Sequence, residues 1–138
     1  MKDDWVNEDL VFRQVHPKHW DGKSPNSQAF FPTPKDEGKL SVDDASIVTA
    51  EGSWNHFTKN VGFQSAGTWA LSCGEIEATG DLVLLRNPID DPEDESKRNP
   101  AHCLIDFNKL TSKGQQKRRA QELAMKASTR GCQFQPPV

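Results

Sequence analysis

The sequence predicts a single α+β domain: a small mixed sheet, two main helices and a long polar loop after the first strand. Three observations carry this. Short apolar runs with strand-like alternation are spread along all 138 residues. Two segments, 49–62 and 111–130, place apolar residues at helical spacing. Nothing repeats and no second apolar set could build another core, so 1–138 reads as one domain with an N-terminal arm over 1–10.

Val11-Phe12-Arg13-Gln14-Val15 alternates as a first strand and Pro17 ends it. Residues 17–38 read as loop, since Pro25, Pro32, Pro34 and two glycines interrupt any regular element. Gln28–Phe31 pairs briefly within it, and Lys39–Val42 is a second strand. Thr49 is a helix cap, and Trp54, Phe57 and Val61 come after it at i, i+3 and i+7 as a core-facing stripe that Gly62 stops. Gly67–Ser72 reads as a central strand, Glu75–Thr79 as one helical turn, and Leu82–Leu85 as a strand buried on both faces. Residues 87–100 hold Asp90, Asp91, Glu93, Asp94 and Glu95 among prolines, which predicts an acidic, mobile loop. Ala101–Phe107 is another strand. Thr111 or Ser112 then caps a helix to Arg130 with Ala120, Leu123, Ala124 and Ala127 as its apolar stripe, and Cys132–Phe134 returns as an edge strand.

The composition is wet: 27% charged, 34% hydrophobic, mean hydropathy −0.76. The four tryptophans and seven phenylalanines therefore have to supply much of a small core. A net charge of −3 argues against a nucleic-acid binder overall. Cys73, Cys103 and Cys132 show no metal-ligand spacing and no framework of pairs, so neither zinc nor disulfides are expected, and no cofactor is implied. The acidic start lacks a secretory apolar stretch, and no run approaches the ~20 apolar residues of a membrane span. Together these predict a cytoplasmic protein with no membrane partner.

Chemistry-bearing residues gather in 13–42. Arg13, mid-strand, either faces solvent, pairs with Asp36 or Asp106, or holds an anion with its planar fork. His16 and His19 flank Pro17-Lys18 and offer general acid or base chemistry, or bonds to the loop backbone. Lys35 and Asp36 sit in a turn that could also present charge to a ligand, and Ser27 and Ser41 are further contacts. Residues 109–130 carry seven cations against Glu122 alone. Lys117, Arg118 and Arg119 in this basic helix suit a solvated face, the acidic 90–95 loop, an acidic partner, or a phosphate backbone.

The blocks Phe12–Pro17, Ser27–Phe30 and Pro32–Val42, with Ile105-Asp106-Phe107 and Thr129–Gln135, resemble a family of small bacterial proteins. The resemblance covers most of the chain and implies a bacterial or phage cytoplasmic origin but no activity. A second likeness, to ADP-ribosyltransferase-like folds, rests on the order Arg13 or His16, Ser41, then the Thr49 helix. The chain has no tyrosine, which departs from that pattern. The leading expectation is a protein-binding accessory protein, placed in a toxin or phage-defence operon. The first alternative is a small NAD- or nucleotide-dependent enzyme using Arg13, His16 and Ser41. The second is a nucleic-acid accessory protein acting through the basic helix.

Overall fold

Strands β1 (Leu10–Gln14), β2 (Lys39–Asp44), β3 (Thr68–Ser72), β4 (Val83–Arg86) and β5 (His102–Asp106) form one sheet in the order β3-β1-β2-β5-β4. A computed structural model describes residues 5–137. Helix α1 (Ala50–Asn55) continues as a π-turn over His56–Asn60; α2 (Cys73–Glu77) is one turn and α3 (Lys113–Arg130) is the long helix. The α+β domain is therefore present, but every strand pairing is antiparallel rather than mixed. β1–β2 and β4–β5 are consecutive along the chain, whereas β1–β3 and β2–β5 join strands that other elements separate.

Residues directly opposite in an antiparallel sheet share a face. Val11, Leu40, Val42, Trp69, Leu71, Leu84 and Ile105 line one face and form the core with α3 residues Leu123, Ala124 and Ala127. The apolar stripe expected of α3 is the buried one, and Ser112 caps the helix by accepting from Gln115 N. The other face is polar where α1 lies over it. Gln14 Nε2 donates to Ser53 Oγ and to Thr68 Oγ1, both at 2.9 Å, and Thr68 Oγ1 donates to the Ala50 carbonyl.

Four elements differ from the sequence reading. The loop after β1 is a packed strap, not a spacer: residues 27–30 make a 3-10 turn capped by Asn26, and Ala29 and Phe30 are buried in the core. Gln28–Phe31 thus does not pair as a strand. Strand β3 is an edge by pairing, yet all five of its residues are buried, and Phe134 bridges Thr68 on its open side. Strand β4 is the opposite edge and buries Leu84 alone, with Val83 and Leu85 half exposed. The Trp54–Phe57–Val61 stripe also misses the core, because the π-turn widens the helix and rotates the later residues out of register. Trp54 packs on Phe134 at 5.6 Å and Phe57 on Phe63 at 5.2 Å, while Val61 is exposed. Thr49 does cap α1, its Oγ1 accepting from Gly52 N.

The turn into β2 shows why Gly38 is there. Its φ is +77°, and a Cβ would run into the Asn108 side chain, which donates to the Glu37 carbonyl.

The acidic segment 87–100 is internally bonded. Ile89 bridges Asn99, Asp91 Oδ1 accepts from the amides of Glu93 and Asp94, and Arg98 Nε donates to the Asp91 carbonyl. Its anchors are Asn60, which donates to the Ser96 carbonyl, and Asp43, which accepts from Asn99 Nδ2. Both lie on the sheet face opposite α3, so the basic helix does not hold the loop. Pro92, Glu93 and Glu95 at its tip are exposed. Limited proteolysis is expected to cut first within 90–95, as loop tips with little burial do. A first cut in the 17–38 strap would show instead that the strap opens more readily.

Candidate functional site

Strands β1 and β2 pair at only two positions, Val11 with Asp44 and Phe12 with Asp43, and then diverge. The wedge they leave is filled on one side by the strap and opens on the other as a cleft of about 170 Å³. Its floor is Phe12, Ser41, Asp43 and His102 from three neighbouring strands. Its wall is the π-turn and the residues after it, His56, Phe57, Val61 and Phe63, and Ile89 and Asn99 close the far end. The wall is apolar and open to water: Phe63 is 60% exposed, Ile89 40% and Val61 37%.

From the floor inward runs a chain of buried and partly buried polar groups. Asn99 Nδ2 donates to Asp43 Oδ1 at 2.8 Å, and Ser53 Oγ donates to Asp43 Oδ2 at 2.7 Å. Gln14 receives Ser65 Oγ and donates to Ser53, so the acidic loop, α1, β1 and β2 are tied together under the cleft. Such a connected network fixes geometry, because breaking any member leaves a buried group unpaired.

On the floor, Ser41 Oγ lies 3.1 Å from His102 Nε2. His102 Nδ1 is 2.8 Å from the Asn87 carbonyl and 3.1 Å from Asn87 Oδ1. A main-chain carbonyl can only accept, so Nδ1 carries the hydrogen, and in the neutral ring Nε2 is left to accept from the serine hydroxyl.

The residues singled out in the sequence are divided among several places. Arg13 gives Nε–H to the Ala29 carbonyl at 2.8 Å and Nη1–H to the Ser41 carbonyl at 2.9 Å. It therefore pins the strap to β2 and satisfies the β2 edge where β1 has left it. Burial pushes the guanidinium down to about 10, with Asp36 opposing the shift, and it stays charged at neutral pH. His16 caps the next turn by accepting the Lys18 amide on Nδ1, and it faces His19 across 5.8 Å in a neighbouring hollow of about 340 Å³ that Arg13 also lines. Burial and then the nearby His16, Arg13 and Lys18 charges hold His19 below its ordinary value. Asp36 closes its own turn, accepting from the Thr33 amide and hydroxyl, and Lys35 is exposed beside it. On α3, Lys117 and Arg118 are exposed, whereas Arg119 pairs with Asp81 at 2.9 Å and with Glu122 at 3.2 Å. Of these candidates Arg13 and Ser41 line the cleft between β1 and β2, and Arg13 also lines the hollow that holds His16.

His102, Asn87, Asp43, Asn99 and Phe63 are not visible as a group in the sequence. Ser41 and His102 are 61 residues apart, and only the β2–β5 register brings them together. Among the described residues no cluster of three or more His, Cys, Asp or Glu side chains gathers as a metal site, and no helix is long and apolar enough to cross a membrane. Comparisons with family models, curated proteins and solved structures return no significant match. Function is therefore inferred from the geometry.

Proposed function

We propose that the chain is a protein-binding accessory protein whose cleft takes a basic partner segment bearing one large apolar side chain. The observation that carries this is the exposed apolar wall of Val61, Phe63 and Ile89 beside an acidic loop. An apolar surface rimmed by charge marks an interaction site. Here Asp90, Asp91, Glu93, Asp94 and Glu95 outnumber Lys97 and Arg98, so a cationic partner complements the rim. The 13–42 segment takes part through Ser41, beside Asp43 in the floor. The bacterial origin rests on the sequence resemblance, the cytoplasmic setting on that and on the cysteine pattern and acidic start, and the toxin or phage-defence role is conjecture.

The nucleotide alternative draws little support from Arg13, whose Nε and Nη1 hydrogens already go to main-chain carbonyls. The nucleic-acid alternative keeps Lys117 and Arg118, but Arg119 and Arg130 are in ion pairs with acidic neighbours.

Titration of a fluorescent peptide with a central Phe or Leu flanked by Lys and Arg is the direct test. Binding should weaken at least ~10-fold in Phe63→Asp and in an Asp90/Asp91/Glu93→Lys triple variant, and should fall with added salt. Reversing Lys117 and Arg118 to glutamate should leave it unchanged. Equal binding of an acidic peptide, or indifference to Phe63→Asp, would reject the cleft as the docking surface.

A further inference from the structure

We infer that Ser41 is a nucleophile for neutral acyl esters, with His102 as its general base and Asn87 orienting the imidazole. The arrangement has three parts that such chemistry uses. The hydroxyl and the base are within hydrogen-bond reach, at 3.1 Å. The far ring nitrogen is held by a fixed acceptor, the Asn87 carbonyl at 2.8 Å, which selects the tautomer that leaves Nε2 basic. Both reacting groups line a cleft in which Phe12, Phe57 and Val61 can receive a short apolar chain. Triads of this kind are recognised by geometry and role, not by order along the chain. The diagonal placement of Ser41 and His102 on paired strands would by itself be an ordinary cross-strand bond. What separates it from one is the ring anchored at Nδ1 and the open space in front of the hydroxyl.

The charges around the cleft narrow the substrate. Asp43 in the floor and the acidic loop at the end repel anions, so esters that carry a phosphate or a free carboxylate group are disfavoured against neutral ones. In the reaction Ser41 Oγ bonds to the ester carbonyl carbon as its proton passes to His102 Nε2. Collapse of the adduct breaks the bond to the alcohol oxygen, which leaves with that proton. Water, deprotonated by Nε2 in turn, adds to the acyl-serine; the carboxylic acid departs and the serine hydroxyl is restored. The inference stands apart from the docking proposal, because a cleft that only docks a peptide leaves Ser41 inert.

Incubating the unaltered chain with a fluorophosphonate probe and mapping the adduct by mass spectrometry reads the nucleophile directly. The expected result is a single adduct on Ser41. p-Nitrophenyl butyrate should be hydrolysed by the wild-type chain, with no turnover above background in Ser41→Ala and at least ~100-fold less in His102→Gln, the usual scale of general-base catalysis. Asn87→Ala keeps the main-chain acceptor and should lose less than ~10-fold. Ser41 is exposed and His102 half-buried on the open cleft floor, so the variants should melt with the wild type. No adduct, an adduct spread over several serines, or Ser41 labelling as fast in His102→Gln as in wild type would overturn the inference. Peptide titration of the wild-type chain against Phe63→Asp decides the docking proposal separately, because it reads no reaction at Ser41.

Discussion

Phe30→Ala should lower the unfolding free energy by about 3–5 kcal/mol, the cost of emptying a large buried aromatic site. Phe30 is fully buried, and it anchors the strap to α3 and the sheet. The strap gains its order from that contact, since its own 3-10 turns are too short to be stable alone. The cavity therefore loosens the whole connection from Trp20 to Pro32, and Arg13 loses the fixed Ala29 carbonyl that it bonds. Phe57→Ala makes the matching control. Phe57 is only partly buried on the cleft wall and lies outside the core, so its loss should cost under about 1.5 kcal/mol. Urea unfolding of both variants decides the matter. Equal losses would mean that the strap contributes no core, or that the π-turn wall is part of it.

The two phenylalanines also show what the sequence can and cannot reveal. Helical spacing is a local property, and where the helix is regular it reads correctly: Ala120, Leu123, Ala124 and Ala127 all turn inward. The same rule fails at Phe57 because the π-turn changes the residue count per turn, and no residue type marks that change. Phe30 is hidden for the opposite reason. It stands in a segment full of prolines and polar groups, and its burial comes from a helix 80 or more residues later in the chain. Strand existence is legible from alternation, whereas strand order is not. Leu82–Leu85 reads as buried on both faces, yet its position at the sheet edge exposes Val83 and Leu85. The cleft depends entirely on such order. Ser41 stands out only as one serine among several in a polar stretch, and the pairing of β2 with β5 is what supplies His102.

Arg86→Met should cost about 2–3 kcal/mol at neutral pH, and the loss should shrink in acid. Asp44 is buried at the end of β2, where its Oδ2 accepts Arg86 Nη1 at 2.7 Å and its Oδ1 accepts the Ser46 amide and hydroxyl. Removing one partner of a fully buried pair costs about 3–5 kcal/mol; Arg86 is one-third exposed, and water screens part of that here. Burial acts to raise the Asp44 carboxyl, but the Arg86 bond and the two Ser46 bonds outweigh it and hold the group below its ordinary value. The folded value is thus lower than the unfolded one. Its contribution to stability is complete above the ordinary aspartate value of about 3.9 and is lost as pH falls through the lowered one. In Arg86→Met burial is less opposed, so the carboxyl moves up and protonation relieves the folded state. The gap between wild type and variant, read from urea midpoints at pH 7 and near pH 3, should therefore narrow. Arg86 also stacks over the Trp5 ring at 4.1 Å, a contact that does not titrate in this range. A gap that stays constant with pH would assign the stabilisation to that stacking rather than to the buried carboxylate.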